Sequence, residues 1–223
     1  MTLKQSILVL GLLPVALLAT GCSGMKKLET ENAALKQQVS ELEQVKKDYA
    51  DKLSAAEQLS QQEKMQQQEE MDRMRSDLNQ QLQDLIQEKE VLVQKLDALT
   101  IISIGEESLF GSGLSDLTPA GAETIDKITA TLNQYPGYHV SVEGHTDDKP
   151  IGKTLKDKYA SNWELSTARA TSVVRYMIYG LNMAPERLSA AGYAQYRPAA
   201  DNSTKEGRAQ NRRIRVIVFK EVQ

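Results

Sequence analysis

A chain of 223 residues with 27 Lys and Arg against 30 Asp and Glu carries a net charge of −3, which excludes the strong positive balance of a nucleic-acid binder. The charge is uneven, with 11 basic against 16 acidic side chains in residues 25–99 and 15 against 14 in residues 100–223. Gly and Pro all but vanish after Gly24 and return from Gly105 onward, so one globular domain, long enough to bury a core, is expected at 100–223.

Lys4 supplies a short positive start, and Ile7 to Ala19 form an apolar run shorter than a membrane span, the pattern of an export signal over residues 1–21. The run ends in Ala19-Thr-Gly-Cys22, which resembles the lipobox of bacterial lipoproteins, with Ala19 where the common pattern prefers Leu. The resemblance implies cleavage before Cys22, a diacylglycerol on its thiol and an acyl group such as palmitate on its new amine. An uncleaved anchor or an ordinary secretory signal is the alternative. Cys22 is the only cysteine, so an intramolecular disulfide is impossible and lipidation is the better account of it. Several acyl chains anchor firmly where one is marginal. Ser23 after the cysteine, by resemblance to enteric lipoproteins, implies the outer membrane, facing the periplasm.

From Met25 the sequence is rich in Lys, Glu, Gln, Ala and Leu, the composition of a long helix. Leu28, Leu35, Leu42 and Tyr49 recur every seven residues, with Asn32, Val39, Lys46 and Leu53 four residues after each. That is an a/d seam of a coiled coil, with polar residues at two positions to set register. A second seam, Leu78, Leu82, Leu85, Lys89, Leu92, Leu96 and Leu99, runs one residue out of phase. Residues 60–70 between them have almost no apolar side chain at the seam. A lipidated, coiled-coil stalk over 22–99 is therefore expected, about 110 Å long if wholly helical, and a homo-oligomer through it.

In the C-terminal domain, Leu99–Ile104 reads as a β-branched strand, with Ser108-Leu109-Phe110 extending it past Gly105. Thr118-Pro119 starts a helix with a hydroxyl cap and Pro in the first turn, and Ile125, Ile128 and Leu132 share one face of it. Val140 and Val142 alternate in a strand over His139–Gly144. Asn162 to Tyr179 is a second helix with Leu165, Ala168, Ser172, Val173, Tyr176 and Met177 near one stripe, ended by Gly180. Leu188–Gly192 and Arg213–Phe219 complete the strands. The result is an α/β sandwich, a mixed sheet with helices on one face.

Three blocks carry the chemistry: Val142-Glu-Gly-His-Thr-Asp-Asp148, Asn162-Trp-Glu-Leu-Ser-Thr-Ala-Arg-Ala170 and Glu206-Gly-Arg-Ala-Gln-Asn-Arg-Arg213. They resemble the peptidoglycan-binding module of the OmpA-like family. Asp147 follows a strand at the sheet's end, where a loop begins and it is free to face solvent or a ligand; Arg169 lies two turns into the next helix. An acid and a guanidinium so placed suit the ammonium and carboxylate of a zwitterion, since the planar guanidinium donates two parallel charge-assisted bonds. The resemblance implies that Asp147 and Arg169 hold the free amino acid end of diaminopimelate in the peptidoglycan stem, with Thr146, Asn162, the backbone at Leu165, and Arg212 lining the site. A plain surface ion pair between Asp147 and Arg169 is the bland alternative.

His145 with Asp147 and Asp148 is too sparse a set for a metal site, and His139 adds no ligand spacing. Lys205, Arg208, Arg212, Arg213 and Arg215 read as a solvated surface, and Trp163 as an amphipathic anchor of its helix rather than a sugar platform. No zinc-ligand set, Ser/His/Asp or Cys/His arrangement points to a hydrolase, and Glu106-Glu107 is an unspecific pair of acids; no enzyme and no cofactor are expected. The expected function is that of a Pal-like outer-membrane lipoprotein tethering membrane to wall. The loop Asp148–Ala160, with Ser161–Ser166, resembles the flagellar stator family MotB and raises a wall-anchoring stator component as the alternative. The absence of Asp and Glu from residues 5–21 argues against that, because a stator needs an intramembrane carboxylate.

Overall fold

The computed structural model describes residues 13–88, 90–96, 98–152 and 155–220, with side chains from Gly24 onward. The start of the expected export signal and the side chain of Cys22 lie outside the described residues. The chain divides into two compact units, Met1–Lys64 and Met65–Gln223. Helix α1 spans Leu13–Gln81. In the first unit its seam residues Leu28, Leu35, Val39, Leu42, Tyr49 and Leu53 all stand more than half exposed.

The second unit is built on a five-stranded mixed sheet. Its strands are β1 (Val91–Leu96), β2 (Leu99–Gly105), β3 (His139–His145), β4 (Leu188–Gly192) and β5 (Arg213–Phe219), in the order β1-β2-β5-β3-β4. Only β3 and β4 run parallel, as a crossover through a helix requires; the other pairs are antiparallel. The helices are α2 (Gln83–Gln87), α3 (Glu106–Leu109), α4 (Pro119–Asn133), α5 (Asn162–Tyr179) and α6 (Lys205–Asn211). Alternation along the strands sends Ile102, Ile104, Val140, Val142, Ile214, Val216 and Val218 to one face. There they pack with Ile125, Ile128 and Leu132 of α4 and Val173 and Met177 of α5. The fold class is the expected one.

The two long helices start on side-chain caps. Thr118 accepts a hydrogen bond from the Gly121 amide, with Pro119 in the first turn. Ser161 accepts one from the Trp163 amide and donates to Glu164, so the first amides of α5 are satisfied locally.

The second heptad seam is not a stalk. Met71, Met74, Leu78 and Leu82, toward and beyond the end of α1, are buried in the same core as the sheet, and Thr100 Oγ1 lies 3.1 Å from Met71 Sδ. Leu92 and Leu96 sit in strand β1, half exposed on the side away from the core. A four-residue spacing puts two side chains on one side of a strand as well as on one face of a helix. The alternating Val91 and Val93 settle the strand, pairing with Ile104 and Ile102 of β2. The compact unit thus begins at residue 65 rather than 100. The expected strand extension at Ser108–Phe110 is also replaced, by the helical turn α3; β1 takes the place of helix expected there, and α6 was not expected.

The buried face of α5 is rotated from the predicted stripe. Leu165, Ser166, Arg169, Ala170, Val173 and Met177 are buried, whereas Ala168 and Ser172 are only partly covered. The cause is a close approach to paired glycines. Gly144 of β3 and Gly192 of β4 are register partners, and a Cβ on either would lie 2.1 Å from the Ser166 carbonyl oxygen or 2.2 Å from Thr167 Oγ1. Neither position tolerates a side chain.

A fragment starting at residue 65 is expected to unfold cooperatively in urea, and one starting at residue 100 to show no cooperative transition. Leu78→Ala in the full chain should cost about 2–5 kcal/mol by the same assay. A stable, cooperative 100–223 fragment would contradict the assignment of α1's end to the core.

Candidate functional site

Sheet topology brings three chain ends to one place. Strands β2 and β3 both run antiparallel to β5, so their C-terminal ends meet the N-terminal end of β5. Glu106 and Glu107 follow β2, Thr146 and Asp147 follow β3, and Arg212 precedes β5. Pairings of Gly105 and His145 with Arg213, and a bond from the Glu106 amide to the Arg212 carbonyl, fix their spacing. Helix α5 adds Asn162, Leu165 and Arg169 along one side.

Between them lies an open cleft of about 670 Å³. All six residues singled out in the sequence, Thr146, Asp147, Asn162, Leu165, Arg169 and Arg212, line it. The loop after Asp147 forms another wall through Lys149, Pro150, Ile151, Gly152 and Leu155. Gly113, with φ of +70°, is held so close to Leu155 that a Cβ would meet it at 2.9 Å.

Asp147 and Arg169 do not pair with each other. Arg169 places Nη1 2.6 Å from Glu106 Oε2, donates from Nε to the Leu114 carbonyl at 3.0 Å, and lies 5.4 Å from the Phe110 ring centroid. It is 3% exposed. Asp147 Oδ2 accepts from Arg212 Nη1 at 3.0 Å, and Oδ1 accepts from the Lys149 amide. Arg212 reaches further, donating from Nη2 to Glu107 Oε1 at 2.8 Å. Burial works against the Arg212 charge, but the hydrogen bonds to Asp147 and Glu107 outweigh it and raise its pKa. Thr146 Oγ1 donates to the Asp147 carbonyl, and Asn162 Nδ2 to the Lys149 carbonyl at 3.0 Å, tying the loop to the start of α5.

The network alternates in sign, with three carboxylates, two guanidiniums and Lys149 on one cleft. A ligand carrying an ammonium and a carboxylate enters such a network without leaving a buried charge alone. Glu106 and Glu107, set aside in the sequence as unspecific, are the missed members. The available signal was position, since they follow β2 directly as Asp147 follows β3. Asp147 is also less free than expected, because Arg212 already holds it.

The basic run is only partly a solvated surface. Arg208 donates to the Asn202 and Ser203 carbonyls. Burial, reinforced by neighbouring Arg215, lowers the Arg213 pKa to about 10. Arg215 donates to the buried Glu143 at 3.1 Å. Asn211 is fully buried and ties the loop at Ala199, Ala200 and Asn202, which holds Arg212 at the cleft.

Residues 109–212 match the model of the OmpA family. Motility protein B of Bacillus subtilis is 32% identical over 53% of this chain and 44% of its own length. The probable lipoprotein YiaD of Escherichia coli is 35% identical over 53% of this chain and 50% of its own. A solved structure of the cell wall anchor of the T6SS from Pseudomonas aeruginosa superposes with a TM-score of 0.58 at 33% identity, covering 65% of this chain and 97% of that one. Against the curated relatives it matches, the chain spans from 25% to 60% of their length. Among the described residues no helix is long and apolar enough to cross a membrane.

His145, just before the site, is buried, with Nε2 3.5 Å from Glu143 Oε2 and its ring stacked on Tyr193. Burial pushes its pKa below the ordinary histidine value, against the opposing pull of Glu143. The unfolded chain then takes up the proton first as pH falls, so stability is present above about pH 6.5 and declines below it. The urea midpoint should drop between pH 7.5 and pH 5.5, and the drop should shrink in His145→Gln. The Glu143 carboxylate, its own pKa lowered, titrates below that window. A midpoint independent of pH across it would contradict the burial of a neutral His145.

Proposed function

We propose, for a chain that carries an OmpA family domain at residues 109–212, that it binds peptidoglycan noncovalently and anchors the wall to a membrane. The observation that carries this reading is a cleft lined by both Asp147 and Arg169, each held by another partner rather than by the other. The ligand is the diaminopimelate of the stem peptide. Its ammonium joins Asp147, displacing or sharing the Arg212 contact, and its carboxylate joins Arg169. With Nε committed to Leu114 and one Nη1 hydrogen to Glu106, the two Nη2 donors and the second Nη1 donor of Arg169 are left for the ligand. Arg212 and Glu107 close the rim. The likeness to a cell wall anchor at 33% identity supports the same reading. Binding of this kind needs no catalytic group, and the protein acts as a tether rather than an enzyme.

At the other end, Cys22 carries the lipid, a reading that likeness to a probable lipoprotein supports, and Ser23 directs the anchor to the outer membrane, facing the periplasm. The exposed seam on α1, from Leu28 to Leu53, is covered by further copies of the stalk, making a homo-oligomer. A wall-anchoring stator component is the second reading. It is favoured by one observation, the loop with MotB-like sequence that walls the cleft, and by likeness to motility protein B.

Because truncating Arg169 would leave Glu106 buried and unpaired, conservative variants test the site best. Asp147→Asn and Arg169→Lys, each keeping the wild-type unfolding free energy in urea within about 1 kcal/mol, should lower retention on purified sacculi at least tenfold. Undiminished retention would sink the assigned site. Cys22→Ser should abolish acyl labelling and release the chain from membranes. A variant still held in the inner membrane without label would favour the stator component instead.

A further inference from the structure

The first turn of α5 faces two grooves. Asn162, Leu165 and Arg169 look into the charged cleft. On the other side of the helix, Trp163 begins a second groove of about 580 Å³, lined also by Glu164, Thr167, Thr171, Arg175 and Asp116. Trp163 is 46% exposed and stacks on Tyr196, itself 64% exposed, with ring centroids 5.4 Å apart and planes 26° from parallel. The expected anchoring of Trp163 in its helix is therefore not what the structure shows: two large rings pack on each other at the surface instead of entering the core. Trp163 lines the second groove whereas Tyr196 does not, so the stacked pair borders the groove through the indole.

The pair is held in place by the same contacts that build the cleft. Asn162 Nδ2 reaches both the Lys149 carbonyl and Gln195 Oε1. The turn that carries Tyr196 is pinned by a bond from the Ala194 amide to Ser166 Oγ, with Ala194 at φ of +48°. An exposed, braced aromatic face beside hydroxyls and carboxylates is the surface that suits a sugar ring, whose C–H face packs on the indole while its hydroxyls meet the polar groups.

We propose that Trp163, backed by Tyr196, is a platform for the N-acetylhexosamine glycan strand of peptidoglycan, with Thr167, Thr171 and Asp116 meeting its hydroxyl and acetamido groups. This rests on the stem-peptide reading of the cleft and extends it to the second component of the wall. Trp163 and Arg169 stand on different sides of one helix, six residues or about 9 Å apart along its axis, so glycan and stem peptide have separate places on α5.

Trp163 is the only tryptophan in the chain, so its emission reports this site alone. The full chain is titrated with glycan strands enzymatically stripped of stem peptide, and separately, by calorimetry, with free diaminopimelate tripeptide. The strands should change Trp163 emission saturably, Arg169→Lys should leave that titration unchanged, and Tyr196→Ala should weaken it about tenfold. Trp163→Ala should leave tripeptide binding as in the wild type. Both rings are exposed, so the variants keep the wild-type circular dichroism. Strands that leave the emission unchanged while tripeptide binds overturn the platform alone, as does unaltered strand affinity in Tyr196→Ala. Strands that bind while tripeptide does not overturn the stem-peptide reading and uphold the platform.

Discussion

The site depends on the seating of Ser166 against Gly144 and Gly192. Two glycines paired across β3 and β4 remove the side chains that would otherwise keep α5 at ordinary helix-to-sheet distance. The helix therefore comes down onto the sheet at one point, and the buried Ser166 hydroxyl takes the Ala194 amide there. That contact sets the rotation of α5, which turns Arg169 toward the strand ends instead of toward solvent. The turn after β4 is fixed by the same hydroxyl, and with it the Thr146 amide, which donates to the Ala194 carbonyl. Asp147 is one residue further along. Acid and guanidinium thus owe their relative position to a backbone contact several residues from either.

On that scaffold, charge is arranged in alternation. Each guanidinium at the cleft has a carboxylate of its own, Arg169 with Glu106 and Arg212 with Asp147 and Glu107. Holding charged groups apart from their obvious partner keeps both available for a ligand of both signs, while each keeps a counter-charge of its own. Each pair is worth little as stability when it is as exposed as Arg212 with Glu107. Its value lies in orientation, since a guanidinium fixed by two acceptors loses less freedom on meeting a third.

Much of this was legible in the sequence, for reasons particular to each element. Caps and alternation placed β2 through β5, α4 and α5, because Thr118-Pro119 and the runs Val140/Val142 and Ile214/Val216/Val218 signal locally. The three family-like blocks located six cleft residues, since each block sits at the end of a strand or the start of a helix. What failed depended on contacts between distant segments. Leu78 and Leu82 fit a helical seam equally well whether a second chain or the sheet covers them. Leu92 and Leu96 carry a spacing common to helix and strand. Glu106 gains meaning only through Arg169, which lies 63 residues away in the chain, and no local pattern announces that pair.

The central claim is that the cleft recognises an ammonium and a carboxylate on one carbon at the distal end of the stem. Stem tripeptides ending in diaminopimelate and in lysine differ there by a single carboxylate, while both keep the ammonium proposed for Asp147. Calorimetric titration of the full chain with the two should show binding of the diaminopimelate peptide and affinity at least tenfold weaker for the lysine peptide. Equal affinities would mean that Arg169 does not take the carboxylate, and the account of the site would fail.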